Sequence, residues 1–252
     1  MIYKDLLIEL VKREIKARYK QSILGYAWVI LVPIINLIVL SVVFSFFVKI
    51  PTGGIPYPIF LFVALVPWMF TANSISLATR SLLANKTLIT KISLPREIFP
   101  ISSIISKFID FILYFLVLLV MTFFFGVHLQ LTLLYIPLIF GVQTLLIMGI
   151  SFFLSAVNVF YRDVENLLEV ALMAWMYLTP VLYPPELVPA VYRTIYNLNP
   201  LTPIVDAYRN TFLYGVAPAW PSFIYATLFS LVVFIVGYVF FKEKSKYFAD
   251  VI

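Results

Sequence analysis

The chain of 252 residues is 63% hydrophobic and 12% charged, with a mean hydropathy of +1.02; soluble domains run at about 45–50% apolar and about 25% charged, so this is an integral membrane protein. It has no cysteine, which excludes disulfides, thiolate metal sites and a cysteine nucleophile. Its net charge of +6 lies in short segments flanking apolar runs, the pattern of a membrane topology signal and not of nucleic-acid binding.

Residues 3–20 read YKDLLIELVKREIKARYK, with Leu6, Leu7, Leu10, Val11 and Ile15 on one stripe, which predicts an amphipathic helix lying in the membrane interface. Glu9 to Arg13 and Glu14 to Arg18 are spaced as i, i+4 pairs, each adding only ~0.2–0.5 kcal/mol. Lys12, Arg13, Lys16, Arg18 and Lys20 read first as a lipid-surface anchor and second as a landing place for an anionic lipid headgroup such as a pyrophosphate. Residues 22–48 carry no charge and form the first span, even with Pro33 inside it. The turn-rich KIPTGGIPYP leads to a second span at 59–79.

Residues 80–100, RSLLANKTLITKISLPREIFP, set Arg80, Lys86, Lys91 and Arg96 against the single acid Glu97. A basic loop of this kind marks the cytoplasmic side. Leu82, Leu83, Leu88, Ile89, Ile92 and Leu94 recur at roughly helical spacing, and Pro95 and Pro100 close the segment, so a short amphipathic helix is expected at that surface.

A third span at 101–127 contains Lys107 and Asp110, placed near the cytoplasmic interface as an i, i+3 pair because a charge at mid-bilayer costs about 2.5–3.5 kcal/mol. The fourth span, 135–160, offers Gly141, Gly149, Ser151 and Ser155 for close helix packing. After Tyr161-Arg162-Asp163 a fifth span at 164–183 carries Glu165 and Glu169 at its inner end. Residues 184–219 are rich in proline and aromatics and too often interrupted by charge to cross, so short helices dipping into the outer leaflet are expected. A sixth span at 221–241 and a basic tail at 242–252 complete the chain.

This topology puts fifteen Lys and Arg inside and three, Lys49, Arg193 and Arg209, outside, which predicts six spans with both termini cytoplasmic. No G-x-x-x-x-G-K-[ST] occurs, so the chain has no P-loop for ATP. His128 is the single histidine and reads as a loop residue, no metal site is expected, and no catalytic constellation is found. The outer aromatics suit an interfacial belt or, equally, a surface for sugar rings.

Arg18-Tyr19-Lys20-Gln21-Ser22-Ile23-Leu24-Gly25 followed by Trp28 and Pro33, Leu65-Val66-Pro67-Trp68, Asn85 with Leu88-Ile89 and Leu94-Pro95-Arg96, Tyr161-Arg162-Asp163, Thr179-Pro180, and Asn199-Pro200 with Tyr208-Arg209 together resemble the type-2 ABC exporter permeases. They are most similar to the polysaccharide branch, which exports O-antigen, teichoic acid or capsule. The resemblance covers the whole chain in order. It implies a non-enzymatic transport subunit of a bacterial inner membrane that forms a homodimer and works with two copies of a separate ATPase carrying the ATP and Mg. The implied cargo is an undecaprenyl-type lipid-linked polysaccharide.

By the same resemblance, the loop after span two is a coupling helix seated in the ATPase, drawing on Asn85, Leu88, Ile89, Lys91, Leu94, Pro95, Arg96 and Glu97, with Arg162 and Asp163 at a second contact. Trp28, Phe44, Phe47, Trp68, Trp175 and Tyr183 are the expected channel aromatics. Two rivals remain open: an exporter of drugs or small lipids with the same fold, and a membrane-embedded glycolipid enzyme using Asp163, Glu165 and Glu169.

Overall fold

The computed structural model describes residues 2–19, 22, 24–92 and 94–251, and no strand occurs among them. Lys20, one of the expected headgroup cations, lies outside the described residues. α1 (Ile2–Tyr19) has Asp5 in its first turn and Lys16 and Arg18 in its last, which suits the helix dipole. It lays Leu10 and Val11 into the protein alongside α5. α2 (Ala27–Val42) runs on through a π-helical turn at Val43–Phe47.

α3 (Tyr57–Ala84) is the centre of the bundle: 78% of its apolar stretch is buried within the chain, against 22% for α2. A helix apolar all round belongs at such a position. Pro67 interrupts it, and the Pro67 carbonyl accepts hydrogen bonds from Thr71 Oγ1 (3.0 Å) and Gln143 Nε2 (2.7 Å). α4 (Lys86–Lys91) is a short surface helix, and α5 (Ile98–Phe125) ends on Gly126 at φ 66°, the left-handed conformation glycine adopts without strain. A 3₁₀ turn, Leu131–Tyr135, leads into α6 (Ile136–Phe160).

α7 (Val164–Tyr177) is followed by 3₁₀ turns at Pro185–Leu187 and Ala190–Tyr192, α8 (Arg193–Asn197), and α9 (Leu201–Arg209) with its π-helical extension Asn210–Tyr214. α10 (Trp220–Ser245) and α11 (Phe248–Val251) close the chain. α6 and α10 pack most closely where Gly149 meets Gly237: a Cβ at Gly237 would lie 2.1 Å from the Gly149 carbonyl oxygen. Gly141 has open space instead.

The main core gathers α3 with α5, α6 and α9. A second core, including Leu10, Leu82, Ile89, Phe99, Phe152, Phe241 and Phe248, lies at the end of the bundle that carries α1, α4 and α11.

Among the described residues five helices are long and apolar enough to cross a membrane: Ala27–Phe47, Tyr57–Ala84, Ile98–Phe125, Leu131–Phe160 and Trp220–Ser245. α7 has 14 residues, about 21 Å of helix at 1.5 Å per residue. It stops six residues short of the expected 164–183, because Pro180 cannot continue a helix and Thr179 Oγ1 turns back to the Trp175 carbonyl at 2.7 Å. α4 is likewise shorter than a helix reaching Arg96: Ile92 is extended, and the chain then turns at Pro95 into α5.

Candidate functional site

The end of the bundle built by α1, α4 and α11 is a polar surface on an aromatic floor. Asn85, 4% exposed, caps the junction of α3 and α4; its Nδ2 donates to the Ser81 carbonyl at 2.7 Å, and its Oδ1 accepts from Arg13 of α1. Ile89 is buried and Leu88 half-buried, while Lys91 and Pro95 are exposed. Leu94, Arg96 and Glu97 are half-buried. α4 therefore has an anchored face and a free face. Glu97 pairs with Lys242 of α10, and the Arg96 guanidinium sits 5.9 Å from the centre of the Phe248 ring. Arg162 and Asp163 occupy an exposed turn between α6 and α7.

The basic residues of α1 are mostly engaged. Lys12 pairs with Glu9 at 2.8 Å and Arg13 reaches Asn85. Arg18 Nη1 meets Asp110 at 2.5 Å, and its Nη2 donates to Ser106 Oγ at 3.1 Å. Lys107 joins the same carboxylate at 3.1 Å. Glu14 accepts from Ser103 at 2.8 Å and Ser106 at 3.0 Å. Burial pushes the Glu14 carboxyl above its ordinary value, opposed by those two hydrogen bonds and by Arg18 and Arg13.

The expected pairs within α1 thus give way to pairs with α5 and α4. Tertiary partners fix both ends of each side chain at half-buried sites, where charge-assisted bonds outweigh a solvent-exposed pair. Lys16 remains exposed on the free face.

At the opposite end a cavity of about 750 Å³ opens between Ile50, Trp175, Leu178, Tyr183, Leu187, Tyr192, Ile195, Tyr196 and Pro200. Trp175 is held there by its indole N–H donating to Asn199 Oδ1 at 2.9 Å, and Asn199 Nδ2 donates in turn to Thr179 Oγ1 at 2.9 Å. Trp68 packs edge-on against Trp175 at 6.2 Å, and the Tyr183 hydroxyl donates to the Tyr177 carbonyl at 2.7 Å. Burial raises the Tyr183 and Tyr196 phenols above their ordinary values, so both rings meet the cavity as neutral hydroxyls.

Of the expected channel aromatics, Trp68, Trp175 and Tyr183 come together. Phe44 stacks on Tyr57 at 6.1 Å, and Trp28 and Phe47 face outward. Glu165 and Glu169, candidates for acid–base work, are held by Arg80 of α3 at 2.5 and 2.8 Å. They form part of a structural tie between α3 and α7.

The family model for ABC-2 type transporters matches residues 5–213. The chain belongs to the ABC-2 type transporter family. It is 31% identical over 250 residues to an O-antigen export system permease protein, RfbA, from Klebsiella pneumoniae, covering 98% of this chain and 95% of that one. It is 27% identical to a protein of the same name from Myxococcus xanthus, with the same coverage, and 23% identical to the polysialic acid transport protein KpsM of Escherichia coli over 93% of this chain and 91% of that one. This ABC-2 transporter is a multi-pass membrane protein.

Several residues of this ABC-2 chain escaped sequence reasoning. Gln143, fully buried in α6, donates to the Pro67 carbonyl and to Thr71 Oγ1 (2.8 Å) and accepts from the Tyr208 hydroxyl (2.8 Å), joining α3, α6 and α9. Arg209, 2% exposed, donates Nη2 to the Val181 carbonyl at 2.9 Å and lies over the Phe60 ring at 3.9 Å. A lone Gln in an apolar run is a usable signal, since a buried amide needs partners. Phe248 gave none, being an unremarkable tail aromatic.

Proposed function

We propose that the chain is the membrane subunit of an ATP-driven exporter of a lipid-linked polysaccharide in the bacterial inner membrane. The observation that supports this reading best is the end-to-end match to O-antigen export permeases, with no segment of the chain left over for another activity.

In this reading the membrane is crossed six times, with α7 and the turn at 178–183 as the fifth crossing. α7 alone is short of the ~30 Å hydrocarbon core, so it crosses a locally thinner region lined by protein. The end with α1, α4 and α11 is cytoplasmic, following the excess of Lys and Arg there. α1 lies in the interface, and α4 with the turn to Glu97 is the seat of a separate ATPase that carries ATP and Mg; Arg162 and Asp163 form its second contact. α8 and α9 form the outer re-entrant segment.

Two copies of the chain build the channel. Ile35, Ile38, Val39 and Val42 on α2 and Leu167, Val170, Met173 and Tyr177 on α7 leave apolar faces exposed in the single chain, and a homodimer covers such faces. The cavity around Trp175, Tyr183, Tyr192 and Tyr196 then lies on the exit route, where aromatic faces meet the apolar faces of sugar rings and tyrosine hydroxyls meet their OH groups. The cargo headgroup enters from the inner leaflet past Lys16 and the other α1 cations. Arg18 and Arg13 act there as ties more than as ligands.

Deletion of the gene is expected to abolish long-chain surface polysaccharide while its lipid-linked precursor accumulates inside, and affinity purification of the chain is expected to bring down an ATP-binding subunit. Surface polysaccharide at the parental level in the deletion strain overturns the reading.

A further inference from the structure

Chain ends are ordinarily loose unless something ties them down, yet Phe248 has no exposed surface. Its ring meets Phe241 of α10 edge-on at 5.4 Å and Phe160 at the end of α6 at 6.1 Å. The Arg96 guanidinium lies 5.9 Å from its centre. Glu97, the next residue, pairs with Lys242, two turns before Phe248. Both charged residues of the turn between α4 and α5 are thus gripped by the last 11 residues of the sequence. A cleft of about 410 Å³ lies alongside, walled by Ile89, Lys91, Leu94, Glu97, Lys242 and Ser245. It keeps the free face of α4 open while its rear is held.

We propose that the C-terminal tail is a latch that makes α10 move as one body with the α4–α5 turn, so that a push on α4 enters the last span directly. Without it, α4 would pass force only along the covalent chain into α3 and α5. With it, the push spreads to α10, and from α10 to α6 through the tight Gly149–Gly237 contact. This rests on the reading of α4 as the ATPase seat.

The test uses the full chain in the deletion strain, with surface polysaccharide as the readout. Glu97→Lys and Lys242→Glu are each expected to lower export about fivefold or more, the low end of ordinary coupling energies. The double reversal is expected to restore it, which a residue touching only the ATPase would not allow. Phe248→Ala is expected to lower export and Phe248→Tyr to keep it.

Because the chain has no cysteine, Glu97→Cys with Lys242→Cys can be joined by a short bis-maleimide in inverted membrane vesicles supplied with ATP and the host's own lipid-linked polysaccharide. A latch tolerates that link and export continues. Export blocked by the link, or normal export by the Glu97→Lys and Lys242→Glu single reversals, overturns the latch; the crosslinked arm decides if a reversal does not fold. A wild-type chain that restores no polysaccharide to the deletion strain overturns the function itself, and the latch with it.

Discussion

Gln143 uses both ends of its amide inside the bundle, and each partner belongs to a different helix. Gln143→Leu and Tyr208→Phe each leave a buried polar group unpaired, at about 1–3 kcal/mol. Thermal unfolding in detergent is expected to show both as destabilising, with the double variant losing less than the sum because both break the same bond. Asp206 gives a pH-dependent case. Burial raises its carboxyl to about 7, with Arg209 lowering and Glu186 raising it, and the Tyr196 and Tyr214 phenols face the same group. Its unfolded value is about 3.9. The folded state therefore holds a proton that the unfolded chain has released, so this contribution to stability is full below about pH 4 and is lost as pH rises to about 7. Asp206→Asn is expected to flatten the melting temperature across that window; an unchanged slope would assign the pH dependence to other groups.

At the scale of elements, α6 and α10 depend on having nothing at two positions. Gly237→Ala puts a methyl against the Gly149 carbonyl and is expected to cost about 1–3 kcal/mol through overpacking. Gly141→Ala, on the same helix as Gly149 and with open space around it, is expected to lose no stability, which separates contact from glycine content. α1 depends on the opposite, a crowded polar seam. Asp110→Asn removes the carboxylate shared by Arg18 and Lys107 and is expected to speed amide hydrogen exchange in α1 while the centre of α3 stays protected. The helical nature of α1 was legible from its stripe of Leu6, Leu10 and Val11. The partners of its charges were not, since Arg13 to Asn85 and Arg18 to Asp110 join residues 72 and 92 positions apart. Local spacing offers Glu9 and Glu14 as partners, and only the folded chain can outbid them.

For the whole molecule, long uncharged runs translate directly into helices, because in an apolar surround every backbone group must find its partner within the segment. That is why five of the crossing helices could be placed from sequence. The end of α7 could not: it is decided by Pro180 together with Asn199, which reaches back to Trp175 and Thr179 from the far side of the 3₁₀ turns. The aromatic cavity was legible as composition and not as place, since Phe47 and Trp28 point away from it while Tyr192 and Tyr196 line it.

The segment between α7 and α10 is built of two unlike halves. α9 is rooted by Tyr208 on Gln143, by Arg209 over Phe60 and by buried Ile204 and Val205. The stretch before it shows Val191 at 82% and Ile195 at 72% exposure. Swinging the whole segment aside would tear polar roots out of the bundle, whereas lifting 185–197 breaks little more than two bonds from Arg193 to the carbonyls of Val188 and Glu186 within that stretch and the Tyr225 bond to the Leu198 carbonyl. A bulky polymer leaving this end therefore meets a fixed jamb and a door hung on it, with the hinge at Leu198–Pro200.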